Sequence, residues 1–302
     1  MANASNLQDS SALPSLRRSM SSPRTLFAIG MTGLTFLAAA IALLILVAIL
    51  SYVVINGGSR VSLDLFTQLP PVAVIKTGGG FGNALIGTLM TVMIAVLLSV
   101  PFGILAAIYL SEFGRETLFS SIVDFLTNVL SGVPSIVVGV FAYGVIVTKT
   151  GFSLKLGFSA IAGGVALAVL MLPIVVRTAA EALESVPNDV RQAAIGLGAT
   201  QFQTVFRIVL PAAIPSITTG VMLAVARAAG ETAPLILTTL FGYSWINSLI
   251  APPTPTLSVL VFNFATGPSR NQQQLAWAAS LILVALVLIT SLLSRLAIRR
   301  KV

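Results

Sequence analysis

Two opposite charges lie inside a long apolar run. Arg227 falls roughly halfway along Ala212–Leu240, and Glu231 follows four residues later. A central Arg costs about 2.5–3.5 kcal/mol on membrane-insertion scales, so such a side chain usually faces a partner, a polar cavity or a substrate path. The planar, permanently charged guanidinium donates two parallel hydrogen bonds to an oxyanion. The pair therefore indicates an anion path, with Glu231 on the same helical face as counter-charge.

The residues around this pair are small or polar. We interpret one helical face as a lining stripe, with Thr232 assigned to the same path; the face comprises Gly220, Ala224, Arg227, Glu231, Pro234 and Thr238. Pro234 cannot donate to the carbonyl of Gly230, so we predict a kink or gate at these two residues. The alternative is a salt bridge that only joins two helical turns. Glu231 either holds the guanidinium or accepts a proton from the anion.

A second polar face is predicted in the apolar run Phe125–Thr148. Asn128, Ser131, Ser135 and Gly139 recur at helical spacing, and Pro134 interrupts the backbone hydrogen bonds beside them. We expect this face to meet the run that carries Arg227 and to contribute to the same path. Ordinary packing of small residues between helices in lipid is the equally weighted alternative.

A charged segment between two apolar runs, 181–211, has the pattern of two short amphipathic helices. Pro187 and Asp189 suit a first helical turn, and a second apolar face follows with Phe202, Val205, Phe206 and Val209. Gly196 and Gly198 interrupt the pattern, which indicates a corner. An amphipathic helix lying on the membrane surface is the alternative.

The elements that position these residues are membrane spans. Of the 302 residues, 56% are hydrophobic and 9% charged, against about 25% charged in soluble domains. About 20 apolar residues cross the bilayer as a helix. We therefore predict an all-α polytopic protein with about six spans, which are Leu26–Ile55, Ala84–Leu110, Phe125–Thr148, Leu156–Val176, Ala212–Leu240 and Leu275–Ser294. The chain divides into a cytoplasmic head (1–25), a first span (26–55), an external loop (56–83), a core (84–297) that contains the 181–211 segment, and a cytoplasmic tail (298–302).

Composition excludes several classes of function. The chain has no Cys and no His, which removes thiol nucleophiles, His-based triads and imidazole or thiolate metal sites. No Gly-rich phosphate loop ending in Gly-Lys-Ser/Thr occurs, so an ATPase site would have to lie on another chain. The net charge of +8 does not indicate nucleic acid, because basic residues flank the spans. With both termini in the cytoplasm, 11 of the 17 Lys and Arg fall inside, as the positive-inside rule expects.

Residues of the 181–211 segment resemble the loop by which binding-protein-dependent permeases dock on their ATPase. That loop reads EAA, three residues, Gly, nine residues, Ile-x-Leu-Pro, and the matching positions are Gln192, Ala193, Ala194, Gly198, Ile208, Leu210 and Pro211. Gln192 departs from the usual Glu. The resemblance implies a type I ABC importer permease that is not itself an enzyme and carries no cofactor, with ATP and Mg on the partner.

A second resemblance narrows the substrate class. Arg227–Leu235 is similar to the RA-x-GETAPL segment of the phosphate permeases, and GVPSIVVG at Gly132–Gly139 resembles another segment of theirs. This likeness implies import of inorganic phosphate across a bacterial cytoplasmic membrane. The implied partners are an ATP-binding subunit dimer, a companion permease and an extracytoplasmic phosphate-binding protein, besides the lipid bilayer, with no nucleic acid.

Alternatives remain open at this point. A permease for sulfate or molybdate would use the same guanidinium chemistry. An ion-coupled secondary transporter would use Arg227 as substrate site and Glu231 as proton relay, although the docking pattern disfavours it. A membrane-embedded enzyme is least consistent with the chain, because no clustered carboxylates offer an acid-base or metal site.

Overall fold

The computed structural model describes residues 23–73, 75, 77–114, 117–148, 154–250 and 253–299, with side chains described to residue 292. Every regular element in these residues is helical, which confirms the predicted all-α class. The predicted head at 1–25 and tail at 298–302 lie almost wholly outside the described residues. The chain divides into two compact units, Met1–Tyr52 and Val53–Val302.

The first unit contains one helix within the described residues. This helix, α1 (Pro23–Gly58), buries none of its side chains between Pro23 and Tyr52. It is long and apolar enough to span a membrane. Because lipid is as apolar as these side chains, exposure to the bilayer carries no hydrophobic penalty.

The second unit begins with two helices and continues with a bent pair. In chain order they are α2 (Asp64–Thr67), α3 (Gly82–Ile108) with a π-helical turn at Tyr109–Phe113, α4 (Leu118–Gly132) and α5 (Ser135–Ala142) with a π-helical turn at Tyr143–Val147. The pair α4 and α5 bends by 105° at Val133 and Pro134, so the third predicted span is broken and not straight. Pro134 is the physical cause, because it has no N–H for the helical ladder.

The remaining helices complete the unit. They are α6 (Ala160–Glu184), α7 (Asn188–Gly196), α8 (Gln201–Thr204) with a π-helical turn at Val205–Val209, α9 (Leu210–Gly230), α10 (Ala233–Thr238), α11 (Leu257–Ala265) and α12 (Arg270–Arg299). Five helices are long and apolar enough to cross a membrane, and the bent pair makes six if it is counted as one span. The predicted number of spans is therefore confirmed by length and composition.

The main core lies where α3, α6 and α9 pack together. Small residues permit close approach: a Cβ on Gly103 of α3 would lie 2.7 Å from Val175 Cγ1 of α6. Gly164 of α6 approaches Ile94 of α3 in the same way, with 2.6 Å to its Cβ. Lipid provides no hydrophobic driving force between helices, so the close van der Waals packing that small residues permit stabilises their association. This packing holds α3 and α6 in direct contact.

Two helices lie outside both the predicted spans and the predicted 181–211 segment. α2 lies in the predicted external loop 56–83, and α11 lies in Phe241–Gln274, which carries several Gly, Pro and polar residues. The buried side chains of α11 include Leu257, Leu260 and Phe264, which join a second core cluster with Leu275. A short helix buried in this way is set by tertiary packing, which the composition of its flanks does not show.

Candidate functional site

The predicted two-helix segment forms α7 and α8 joined at a glycine corner. Pro187 is the N-cap residue of α7, and Asp189 lies in its first turn. Gly198 turns the chain with φ of 89°, a left-handed conformation that L side chains rarely adopt. Thr200 and Gln203 then form a capping box that starts α8. The helix-corner-helix geometry predicted from the glycines is thus present.

The motif residues of this docking loop, 181–211, do not all face the same way. Gln192, Ala193, Gly198 and Pro211 are exposed, Ala194 is buried, and Ile208 and Leu210 are half-buried. Apolar side chains project beside the exposed ones: Leu197 is 91% exposed and Ile195 55%. Among the described residues, nothing covers the apolar surface formed by these side chains.

The predicted second apolar face of the loop is divided. Val205 and Val209 are buried in the core at 1% and 0% exposure, whereas Phe202 and Phe206 are exposed at 62% and 37%. Their two rings lie against each other with centroids 4.4 Å apart. The prediction of one continuous face was wrong because Val205–Val209 is a π-helical turn, which changes the side-chain register.

A residue that no sequence pattern singles out holds this loop in place. Glu112, in the π-helical turn after α3, accepts hydrogen bonds from Arg191 of α7, Nη2 to Oε1 at 2.7 Å and Nε to Oε2 at 3.4 Å. Gln201 Nε2 of α8 donates to the backbone oxygen of Glu112 at 2.6 Å. Glu112 and Arg191 are 79 positions apart. No local sequence pattern could have paired them.

Arg227 and Glu231 are brought together as predicted, but not along one helix. Arg227 Nε lies 3.6 Å from Glu231 Oε1. α9 ends at Gly230, Glu231 has extended backbone with ψ of 132°, and α10 begins at Ala233. The span Ala212–Leu240 is thus interrupted at Glu231 and Thr232, between Gly230 and Pro234, where the kink was predicted. Ser258 Oγ of α11 donates to the freed backbone oxygen of Glu231 at 2.9 Å.

The depth of the pair follows from helix packing. Gly220 of α9 lies against Thr178 of α6, and Gly163 near the start of α6 lies against Leu235 of α10. α6 therefore runs antiparallel to α9 and α10. Arg227 lies seven residues beyond Gly220, so at an equal rise per residue it is level with about Met171, which lies seven residues before Thr178. That level is the middle of α6. Arg227 is therefore level with the middle of the candidate span formed by α6.

Most residues of the predicted lining stripe do not lie on an accessible surface. Gly220, Ala224, Pro234 and Thr238 are buried in the protein, and Thr238 Oγ1 donates to the Pro234 backbone oxygen at 2.7 Å. The break at Gly230 removes the continuous helix on which the face was drawn. Arg227, whose side chain is 69% exposed, and Glu231, at 19%, remain accessible.

The second predicted polar face does not exist as one surface. Asn128 and Ser131 lie on α4, whereas Ser135 and Gly139 lie beyond the 105° bend on α5. Asn128 Oδ1 accepts from Arg177 Nη2 of α6 at 2.5 Å, and its Nδ2 donates to Asp124 at 3.1 Å. Ser131 Oγ donates to the Thr127 backbone oxygen at 2.8 Å.

Part of the predicted polar face, Gly139, does contact the run that carries Arg227. A Cβ on Gly139 would lie 2.7 Å from Pro234 Cα, so α5 and α10 pack in direct contact. The face on α5 therefore reaches the element that follows Arg227, while Asn128 of α4 groups with Arg177 instead. Residue spacing alone could not show that α4 contacts α6 while α5 contacts α10, because the two helices point in different directions after the bend at Pro134.

A polytopic helical chain with a projecting two-helix loop and an accessible charged pair at mid-span has the features of a membrane transport permease. Residues 99–302 match the model of the family described as "Binding-protein-dependent transport system inner membrane component". The chain belongs to this family.

Curated relatives support the predicted resemblance to phosphate permeases. The chain is 39% identical to the "Phosphate transport system permease protein PstA" of Yersinia pestis, over 85% of this chain and 84% of the relative. It is 40% identical to the protein of the same name from Haemophilus influenzae, over 90% of this chain and 93% of the relative.

Solved structures show the same fold. A bacterial alginate ABC transporter, crystallised with an alginate-bound periplasmic protein, contains a chain that matches with a TM-score of 0.65 at 17% identity, covering 92% of this chain and 96% of the other. A chain of the MetNI methionine ABC transporter in an inward-facing conformation matches with a TM-score of 0.52 at 16% identity, covering 73% and 93%. The type I importer permease architecture is thereby confirmed.

Proposed function

We propose that this chain is the transmembrane permease subunit of an ATP-driven importer that moves inorganic phosphate across the bacterial cytoplasmic membrane. The observation that carries the proposal is the accessible Arg227 guanidinium at mid-span. Identity of 39% and 40% with two phosphate transport permeases supports phosphate as the anion.

Arg227 is well placed to bind an oxyanion. Its one ion-pair contact uses Nε, and within the described residues neither Nη atom makes a hydrogen bond. The outer edge of the guanidinium is therefore available to two phosphate oxygens in a bidentate arrangement. Glu231 restrains the side chain and balances its charge in the empty site, and Thr232 beside it adds a hydroxyl. These three residues form the substrate path, and Gly230 and Pro234 flank its break as gating residues.

Energy for transport comes from a separate ATPase dimer on the docking loop. ATP and Mg bind that partner, and this chain is not an enzyme. The exposed Leu197, Ile195 and Phe202 supply apolar area for docking, and Gly198 gives the loop its corner. Both termini lie in the cytoplasm. A companion permease covers the exposed side of Arg227, and an extracytoplasmic phosphate-binding protein delivers the anion.

Uptake by the complex reconstituted in vesicles tests this function. Arg227→Gln removes the charge but keeps a polar side chain, and we expect at least a tenfold loss of phosphate uptake, because charged hydrogen bonds contribute about 1.5–3 kcal/mol each. Arg24→Gln, which removes an exposed charge at the start of α1, is the matched control. Wild-type uptake by a correctly assembled Arg227→Gln complex would contradict the anion role.

The same vesicles distinguish the alternatives. Sulfate or molybdate that competes with phosphate at equal concentration would identify another oxyanion as the substrate. Uptake that persists without ATP under an imposed proton gradient would identify an ion-coupled secondary transporter.

A further inference from the structure

Both helices of the docking loop are bonded to a single residue of the membrane core. The carboxylate of Glu112 holds Arg191 of α7, and the backbone oxygen of Glu112 holds Gln201 of α8. The ion pair is sheltered, since the Arg191 and Glu112 side chains are 12% and 6% exposed. Water and salt therefore weaken it little. A displacement of either docking helix acts directly on Glu112.

Arg191 also fixes the end of a second helix. Its Nη2 donates to the Leu183 backbone oxygen at 2.8 Å, and its Nη1 donates to the Val186 backbone oxygen. These carbonyls lie at the end of α6 and just beyond it, and the Leu183 oxygen also accepts from the Val186 N–H at 3.2 Å. One guanidinium thus joins the docking loop to the ends of α3 and α6. The planar fork of Arg suits this multiple bonding, whereas a Lys ammonium on its flexible stem does not reproduce it.

The N-terminal half of α3 is hydrogen-bonded to α11, which in turn contacts the backbone of Glu231. Thr88 Oγ1 of α3 accepts from the Leu257 backbone N–H at the start of α11, at 2.8 Å. The next residue, Ser258, donates to the Glu231 backbone oxygen at 2.9 Å. α3 is a single helix between Thr88 and Glu112, apart from the π-helical turn that carries Glu112. Hydrogen bonds and one helix therefore run from the docking loop to the break beside Arg227.

We propose that Glu112 is a positioning residue that couples the docking loop to the anion site. Movement that the ATPase imposes on α7 and α8 reaches α3 through Glu112, and α3 moves the start of α11 and the backbone of Glu231. The close packing of Gly103 on Val175 and of Gly164 on Ile94 keeps α3 and α6 together, so they shift as one body. The inference rests on the proposed role as an ATP-driven permease, but not on the identity of the anion.

A cysteine reporter tests this coupling without any phosphate. The chain has no native Cys, and a Cβ at Gly230 meets no atom within 4 Å, so Gly230→Cys places a single thiol beside the break. The complex with its ATPase is purified, and maleimide labelling of this chain is timed with and without a non-hydrolysable ATP analogue. In the parent, we expect the nucleotide to change the labelling rate.

Three variants in the reporter background decide the question. Glu112→Gln removes the ion pair, and Arg191→Lys keeps the charge but loses the fork. Asp64→Asn is the control, because it removes an exposed carboxylate at the start of α2, outside the docking loop. We expect the nucleotide response to be lost in the first, reduced in the second and unchanged in the third, with the ATPase subunit still in the complex. If Glu112→Gln fails to accumulate, Gln201→Leu removes only the bond to the Glu112 backbone and should also reduce the response.

Three results would overturn the inference. A full nucleotide response in Glu112→Gln would show that the ion pair between Glu112 and Arg191 does not carry movement to the break. Loss of the ATPase subunit from the Glu112→Gln and Arg191→Lys complexes would show that the contact only shapes the docking surface. A parent complex whose labelling ignores nucleotide would show that no movement reaches the break. Failure of phosphate uptake would leave these results unchanged and would count against the proposed substrate alone.

Discussion

Arg227 and Glu231 face each other across the end of a helix, with Nε and Oε1 3.6 Å apart. Because α9 ends at Gly230, the carboxylate is carried by extended backbone and can move relative to the guanidinium when that backbone moves. A pair on one continuous helix would have a fixed spacing. The pair is therefore adjustable, which suits a site that must bind an anion and later release it.

Neutralising Glu231 should tighten anion binding and slow release. Glu231→Gln removes the charge that competes with the anion for Arg227. Since partly exposed ion pairs contribute about 0.2–1 kcal/mol, we expect KM for phosphate to fall by up to about fivefold, with a lower maximal rate. Initial uptake rates in vesicles measure both constants. A KM and a maximal rate that both equal the parent values would argue against any role of Glu231 at the site.

The corner of the docking loop should tolerate only glycine. Gly198 has φ of 89°, and a β-branched side chain there is strained by about 1–2 kcal/mol or more, so Gly198→Val should weaken ATPase binding about tenfold. Titration of the purified permease with the ATPase subunit measures the affinity. Gly196→Ala is the matched control, because a Cβ there meets nothing within 4 Å. Equal affinities of both variants for the ATPase subunit would argue against a role of Gly198 in docking.

Contact between α5 and α10 should depend on Gly139. A Cβ there would lie 2.7 Å from Pro234 Cα, so Gly139→Ala forces the helices apart, and overpacking of this kind costs about 1–3 kcal/mol. We expect a lower midpoint of thermal unfolding in detergent. Gly132→Ala, at the end of α4 with open space around the Cβ, should unfold like the parent. Identical midpoints for the two variants would contradict the close packing.

The spans could be predicted from the sequence because lipid demands long apolar helices, and composition alone reveals them. The helix-corner-helix form of the 181–211 segment could be predicted because its glycine corner is a local feature. The break in the span Ala212–Leu240 could be predicted from the missing N–H of Pro234. That Glu231 lies outside α9 was missed, because Ala226–Gly230 continues a helical pattern up to the break. α11 was missed because its short apolar stretch is flanked by Pro-rich and Gly-Pro segments.

The contact of Glu112 with Arg191 and Gln201 was missed for a different reason. A charged residue in a short connection has an ordinary explanation in solvent, and its actual partners lie far away in the sequence. Such tertiary pairs depend on how the helices are arranged, and one chain read alone does not record that arrangement.

The exposure of Arg227 bears on how a single copy of the chain sits in the bilayer. A copy without neighbours leaves the guanidinium exposed, with the Glu231 carboxylate beside it to balance the charge. Insertion scales place a central Arg at about 2.5–3.5 kcal/mol, so such a copy is less favourable in lipid than one whose Arg227 faces a polar partner.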